Sequence, residues 1–130
     1  MYNKIQILLT FFLVFTNLLV SSIVQNLNLW HVSNYAQELF RFGWVSFVLI
    51  ILLGFVLVLK LKLINKYTFI ISIIQAGLIS NILERLYFGY VVDYFNFGVG
   101  IVNLADLQIY IGCFYIVFKE LLANQKFSQA

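Results

Sequence analysis

The sequence has very little charge and no proline. Of its 130 residues, 10% are Asp, Glu, Lys or Arg, whereas soluble domains carry about 25%. Hydrophobic residues make up 63% of the chain, and the mean hydropathy is +0.98. This composition excludes an ordinary soluble domain and predicts an integral membrane protein. Since proline is absent, no helix carries a proline kink.

Cysteine and histidine are each present only once. Cys113 has no partner for an internal disulfide, so the sequence does not indicate a redox compartment. His31 has no Cys, His or acid cluster around it, and we expect it to be an interface residue and not a metal ligand. The Lys and Arg residues stand singly or in one short cluster, which argues against a nucleic-acid surface.

Four apolar stretches approach the length of about 20 residues that a membrane span needs. We predict an all-α membrane protein with one domain, residues 1–130, whose four transmembrane helices cover residues 5–24, 44–59, 67–83 and 104–122. The first stretch could also be a signal peptide that follows Lys4. Its apolar part is longer than usual and no A-x-A site follows it, which favours an uncleaved helix.

The distribution of Lys and Arg predicts the orientation. Four spans place the two termini and the loop between spans two and three on one side. That side carries six basic residues and the other side only two, which are Arg41 and Arg85. Both termini are therefore expected in the cytoplasm. Asp93 and Asp106 would lie at the outer face of the membrane.

Polar residues concentrate around the loop between the third and fourth spans. Asn81, Glu84 and Arg85 stand at i, i+3 and i+4 and share a helix face, and Asn103 and Asp106 stand at i and i+3. A short loop would bring Asn81, Arg85, Asn103 and Asp106 together in one pocket with Asp93.

Acids at membrane depth are costly, and they indicate a functional site. Two aspartates that share one proton would form an acid/base pair of the aspartic-protease type.

The same region resembles lipoprotein signal peptidase, also called signal peptidase II. The family's phrases are close to G-x-x-G-N-x-x-D-R, G-x-V-V-D-F and F-N-x-A-D. Their counterparts appear here in the same order and spacing: Gly77, Asn81, Glu84, Arg85; Gly89, Val91, Val92, Asp93; Asn103, Ala105, Asp106. The three linked phrases cover about a quarter of the chain.

The resemblance implies a function and a site. Asp93 and Asp106 would be the catalytic pair, with Asn81, Arg85 and Asn103 positioning the pair and the substrate. The family removes the signal peptide from diacylglyceryl-modified prolipoproteins before the lipidated cysteine, without metal or cofactor. The expected partners are that substrate and membrane lipid, with no nucleic acid. The expected location is the bacterial inner membrane.

Several positions depart from the family's pattern. Glu84 stands where the family usually has Asp, Ser80 where it has Gly, and Val102 where it has Phe. The D-Q-x-x-K phrase after the first helix has no clear counterpart, since Thr16-Asn17 and Ser21-Ser22 carry no acid or lysine. The first-loop phrase N-x-G-A-A-F is represented only by Asn34-Tyr35-Ala36 and Phe40.

Other interpretations stay open from the sequence alone. Asn103 could be the N-cap of the last helix with Asp106 at its third position, and Asp93 could be a solvated loop residue. Arg85 could extend to lipid headgroups. The whole chain could be an inactive relative that binds lipidated peptides or a membrane partner. It could also be a small proton-coupled transporter, although its acids cluster at one interface.

Overall fold

The computed structural model describes residues 4–35, 63–98 and 100–128. Its helices are α1 (Lys4–Asn26), the short α2 (Leu63–Lys66), α3 (Thr68–Phe88) and α4 (Leu104–Ser128). Its strands are β1 (Val32–Tyr35), β2 (Tyr90–Asp93), β3 (Phe95–Asn96) and β4 (Ile101–Val102). Long helices thus occupy three of the four predicted positions, and the predicted span 44–59 lies outside the described residues.

Within the described ranges, two helices are long and apolar enough to cross a membrane. They are α1 and α3, whose most apolar stretches have mean hydropathies of 2.4 and 1.4. The 21 residues of α3 span about 32 Å at 1.5 Å per residue, close to the roughly 30 Å hydrocarbon core of a bilayer. Length and composition together therefore suit α1 and α3 to a bilayer.

Several polar residues of the helices are buried, while many of their large apolar residues are exposed. On α1 the buried residues include Asn17 and Ser21, whereas Leu8, Phe11 and Phe15 are exposed. Helix α3 buries the residues Ile71, Ser72, Ala76, Gly77, Ser80, Asn81 and Glu84. This arrangement is the reverse of a soluble core, and it suits a protein whose outer surface contacts lipid and whose helices meet through small and polar residues.

Helix α3 runs parallel to α1 and antiparallel to α4. Asn17 meets Ser80 across the first pair, and one turn further along α1 Ser21 meets Glu84, so both helices advance together. Across the second pair Gly77 lies against Ala105, because a Cβ on Gly77 would stand 2.5 Å from the Ala105 carbonyl oxygen. The absent side chain permits this close approach of the two backbones.

The prediction of an all-α chain is wrong at one end of the bundle, where two small antiparallel sheets form. Strand β1 pairs with β2 in a register that opposes Val32 to Asp93 and Tyr35 to Tyr90, and β3 pairs with β4. The β2 sequence Tyr-Val-Val-Asp is rich in β-branched and aromatic residues, which favour strands. Hydropathy alone marks apolar runs as spans and does not detect strands of two to four residues.

Helix α3 ends five residues later than residues 67–83 predict. Glu84 and Arg85 continue the helix, since the Glu84 carboxyl finds hydrogen-bond donors inside the protein. The helix stops at Gly89, which has φ +80° and donates its backbone N–H to Arg85 O at 3.0 Å. A left-handed glycine is a common helix terminator, and here it turns the chain directly into β2.

Candidate active site

The predicted site residues lie where α3 ends and α4 begins. The last two turns of α3 supply Asn81 and Arg85, strand β2 ends at Asp93, and the first turn of α4 supplies Asp106. The β3–β4 hairpin connects β2 to α4: Tyr94 N–H bonds to Val102 O at 3.2 Å. The hairpin therefore returns the chain to α4 only a short distance from the place where β2 ends.

Asn103 and Asp106 form a reciprocal cap at the start of α4. The Asn103 side-chain oxygen accepts the Asp106 N–H at 2.8 Å, and Asp106 Oδ2 accepts the Asn103 N–H at 3.4 Å. The capping interpretation of these two residues is thus confirmed. The cap fixes the Asp106 side chain against the helix backbone, which is compatible with a catalytic role and would support one.

Asn81 joins this cap to helix α3. Its side-chain N–H₂ donates to Asp106 Oδ1 at 2.8 Å, and its side-chain oxygen accepts the amide of Asn103 at 2.9 Å. Asn103 is 1% exposed and Asn81 is 8% exposed. Three residues from two helices therefore form a closed hydrogen-bonded triangle, and both carboxylate oxygens of Asp106 accept an N–H.

Asp93 is held from strand β1. Asn34 lies opposite Val91 in the β1–β2 register, which puts it on the diagonal to Asp93, and its amide donates to Asp93 Oδ2 at 2.9 Å. The Asp93 side chain is 3% exposed. Its other oxygen, Oδ1, is buried and has no hydrogen-bond partner among the residues that the structure describes. Such an oxygen is well suited to carry a proton.

Burial raises the pKa of Asp93 from 3.8 to about 6. The hydrogen bond from Asn34 opposes this rise, while the negative charges of Asp106 and Glu84 add to it. The positive charge of Arg85 has a smaller, lowering effect on the same pKa. The negative charge of Asp106 therefore helps to keep the pKa of Asp93 above its usual range.

Arg85 is oriented along its own helix. Its guanidinium donates to the backbone carbonyl of Asn81 at 3.3 Å, one turn earlier. Among the described residues it contributes charge to the site and no direct hydrogen bond to either aspartate. The structure thus joins Asn81, Asn103 and Asp106 by hydrogen bonds. The charges of Asp106 and Arg85 both act on the pKa of Asp93.

Glu84 has no role among the predicted site residues, yet it is one of the most buried side chains. It is 1% exposed, accepts the Ser21 hydroxyl hydrogen bond, and accepts the Val92 backbone N–H at 2.9 Å. Asn34 was likewise only a weak match to the first-loop phrase. In the sequence, Glu84 is marked only by its position within the family phrase, and Asn34 only as the single asparagine of β1. Neither mark reveals which groups these side chains contact.

Tyr94 is a further residue of the site, and it stands at the aromatic position that ends the family phrase G-x-V-V-D-F. Its hydroxyl oxygen accepts the Leu104 backbone N–H at 3.1 Å, which satisfies one of the free amides in the first turn of α4. Burial raises the pKa of Tyr94, so this hydroxyl stays neutral at ordinary pH. Tyr94 directly follows Asp93, and its bond ties the end of β2 to the helix that carries Asp106.

No group of three or more His, Cys, Asp or Glu side chains is placed to hold a metal ion within residues 4–35, 63–98 and 100–128. The chemical groups available at the site are two carboxyls, three amides and the charge of Arg85. Carboxyl pairs of this kind can exchange protons with a water molecule and with a substrate.

The exposed apolar helices and the two aspartates near one end of the bundle are the features of a membrane protein with a polar site at one end. The protein-family pattern described as Signal peptidase (SPase) II matches residues 4–122. The chain belongs to this family, whose members are bacterial membrane enzymes. The predicted resemblance is therefore confirmed.

Individual relatives agree with the family assignment. The chain is 34% identical over 105 residues to a lipoprotein signal peptidase of Thermodesulfovibrio yellowstonii, covering 73% of this chain and 71% of the relative. It is 32% identical over 109 residues to one of Bartonella quintana, covering 73% and 65%. A shorter match, 41% identical over 56 residues, covers 39% of this chain and 34% of the Paraburkholderia phymatum lipoprotein signal peptidase. No solved structure matches the chain.

Proposed function

We propose that this protein is an aspartic-type endopeptidase that removes the signal peptide from diacylglyceryl-modified prolipoproteins, and that Asp93 and Asp106 are its catalytic pair. The observation that carries the proposal is a buried Asp93 with a raised pKa beside a firmly capped Asp106. Family membership supports the removal of signal peptides from prolipoproteins. The relatives' names favour a peptidase over a binding-only protein or a transporter.

The surroundings of the two aspartates suggest a division of roles. Asp93 has a buried oxygen without a donor among the described residues, so it is the better proton carrier. Asp106 receives N–H groups on both oxygens, a pattern that suits a carboxylate. In this proposal Asp106 is the general base and Asp93 is the general acid.

The reaction then follows from these roles. Asp106 takes a proton from water while the water oxygen bonds to the scissile carbonyl carbon. Asp93 gives its proton to the carbonyl oxygen, which forms a neutral tetrahedral diol. The C–N bond breaks as Asp106 passes its proton to the leaving nitrogen and Asp93 recovers one from the diol hydroxyl. Each aspartate ends in the protonation state in which it began, and one water is consumed.

Asn81 and Asn103 are proposed as positioning residues for this pair. They hold Asp106 from two directions, and the Asn81–Asn103 bond restricts both amides to one orientation. Arg85 is proposed to contact the substrate, since its guanidinium makes a single described bond and has donors to spare.

The proposed location is the bacterial inner membrane, with several spans and the site at the outer face. The exposed apolar side chains of α1 and α3 suit contact with lipid. A site at one end of the bundle suits a substrate whose lipidated cysteine is held at the membrane surface. A diacylglyceryl group in the outer leaflet would place the scissile bond near that level.

A cleavage assay tests the proposal. Purified protein in detergent would be given a diacylglyceryl-modified prolipoprotein, with unlipidated prolipoprotein as the substrate control. The wild type should cut before the lipidated cysteine, and Asp93→Asn and Asp106→Asn should each lose at least about a thousandfold in kcat, as expected when a member of a catalytic unit is removed.

Glu120→Gln is the matched control, because Glu120 is an acid on the same helix as Asp106 but bonds to Lys66 and Tyr67 at the opposite end of the bundle. It should cleave at the wild-type rate. A fully active Asp106→Asn variant would overturn the catalytic pair. Absence of cleavage by well-folded wild type would overturn the peptidase activity itself.

A further inference from the structure

Glu84 connects three separate elements of the structure through one carboxyl group. Oε1 accepts the Ser21 hydroxyl of α1, Oε2 accepts the Val92 backbone N–H of β2, and the side chain itself belongs to α3. Glu84 is 1% exposed and Val92 is fully buried. Burying a carboxyl group to this extent costs free energy unless it is hydrogen-bonded. The two hydrogen bonds therefore hold α1, α3 and β2 together at this point.

The bond to Val92 acts directly on the neighbouring residue, Asp93. In a two-stranded sheet, alternate backbone amides face away from the partner strand and need another acceptor. Glu84 supplies that acceptor one residue before the proposed proton carrier. The backbone of Asp93 is thereby held to α3 on one side, while Asn34 holds its side chain from β1.

We propose that Glu84, held by Ser21, is a positioning residue that fixes Asp93 through the Val92 backbone. This inference rests on the proposed function, and it gives a role in the reaction to a residue that does not touch the substrate. Glu84 bonds to β2 and Asn81 bonds to α4, so these two elements are each fixed to α3 by a different side chain.

The preceding turn of the same helices provides a natural comparison. Asn17 donates to Ser80 at 2.9 Å and exchanges hydrogen bonds of 3.0 and 3.1 Å with Gln108. Ser80 is as buried as Glu84 and also bonds to α1, but no described bond joins it to β2. Loss of Ser80 should therefore weaken helix packing without releasing Asp93.

The experiment compares Glu84→Leu, Glu84→Gln and Ser80→Ala in the full-length protein. Glutamine can accept from Val92 and donate to Ser21, so Glu84→Gln should keep kcat within about threefold. Leucine makes neither bond, and Glu84→Leu should lower kcat by about 10- to 100-fold, with KM changed less than threefold, as for a displaced catalytic group. Ser80→Ala should lower thermal stability and leave kcat within about twofold.

A second measurement reports on Asp93 without requiring turnover. Titration of the Asp93 carboxyl by ¹³C NMR in the wild type should give a pKa near 6. The charged groups that act on it are Asp106 from α4 and Glu84 and Arg85 from α3. In Glu84→Leu, a negative charge is lost and β2 is released toward solvent. Both changes lower the pKa of Asp93, whereas Ser80→Ala should leave it unchanged.

The two measurements separate the possible failures. A wild type that does not cleave would contradict the proposed function, and the Asp93 titration would still test the role of Glu84. Equal losses of kcat in Glu84→Leu and Ser80→Ala would overturn the positioning role, because the effect would then follow from helix packing. An unchanged Asp93 titration in a folded Glu84→Leu variant would also overturn it. Should Glu84→Leu not fold, Ser21→Ala, which removes one of the two hydrogen bonds to Glu84, replaces it in the comparison with Ser80→Ala.

Discussion

The side-chain amide of Asn81 donates to Asp106 Oδ1 at 2.8 Å, across the contact between α3 and the first turn of α4. The same side chain accepts from Asn103 at 2.9 Å, so its orientation is fixed at both ends. Asp106 is thereby held by a neighbouring helix as well as by its own cap. This relationship makes Asn81 the residue through which α3 controls the proposed general base.

Asn81→Ala is expected to lower kcat by about 10- to 100-fold, because it removes the donor to Asp106 and the acceptor for Asn103, and a misplaced catalytic group costs about that much. Cleavage kinetics with a lipidated prolipoprotein would measure the effect. Asn96→Ala is the control. Among the described residues, the Asn96 side chain bonds only to the Gly98 N–H, within the β3–β4 turn. Wild-type kcat in Asn81→Ala would contradict the role of Asn81.

The pH dependence of cleavage should report on Asp93. If its protonated form is required, kcat/KM should fall as the pH rises above about 6, the pKa that burial gives this carboxyl. The Asn34 hydrogen bond lowers the pKa of Asp93. Asn34→Ala should therefore raise this pKa and move the alkaline limb to higher pH, by up to about one unit for one hydrogen bond to a charged group.

The control for this shift is Asn96→Ala, which lies outside the described site and should keep the wild-type profile. A limb that moves to lower pH in Asn34→Ala would show that the sign assigned to the Asn34 bond is wrong. An alkaline limb that is absent in the wild type would show that the free protein does not need a protonated Asp93.

The buried Asp93 carboxylate should lower the free energy of unfolding at neutral pH. Its folded pKa is raised, so the protonated form contributes stability that is present below about pH 3.8 and is lost as the pH rises through about 6. The difference of about two pKa units corresponds to at most about 3 kcal/mol. Asp93→Asn has no charge to bury and should gain stability relative to wild type between pH 4 and pH 7.5.

Thermal unfolding in detergent at the two pH values would measure this gain. Glu120→Gln again serves as a control, because its carboxyl belongs to an exposed pair with Lys66. A pH-independent difference between Asp93→Asn and wild type would be inconsistent with a raised pKa for Asp93.

Gly77 lies where α3 contacts the first turn of α4, next to Asp106. At this contact it should be the glycine that tolerates substitution least. An alanine Cβ would stand 2.5 Å from the backbone oxygen of Ala105 and 2.9 Å from Ile109. The helices would have to separate, at a cost of about 1–3 kcal/mol for an overpacked contact. Because Ala105 precedes Asp106, Gly77→Ala should also reduce kcat.

Gly100→Ala is the matched substitution, since a Cβ there meets open space. It should change the unfolding midpoint by no more than about 2 °C, in keeping with a surface substitution in a chain of this size. Equal stability of the two glycine variants would argue against close backbone contact at Gly77.

Some departures from the family's phrases acquire a structural explanation. Ser80 stands where the family usually has Gly, and its hydroxyl accepts the Asn17 amide. Glu84 stands where the family usually has Asp, and its longer side chain reaches Ser21. Asn17 and Ser21 have the i, i+4 spacing of the acid and the lysine in D-Q-x-x-K. The changes on α1 and α3 are therefore mutually complementary.

The class of protein and part of the site could be predicted from the amino-acid sequence. Low charge and long apolar runs require a membrane, because such segments cannot be hydrated favourably. The Asn103–Asp106 cap was also readable, since an N-cap and its third helical residue are neighbours in sequence.

The contacts that hold Asp93 could not be predicted in the same way, because they join residues far apart in the chain. Asn34 reaches Asp93 from 59 residues away, and Ser21 reaches Glu84 from 63 residues away. These contacts depend on strand register and on the parallel packing of α1 with α3, which local propensity does not encode. The short strands were missed for the same reason, because two to four residues become a sheet only when a distant partner supplies their hydrogen bonds.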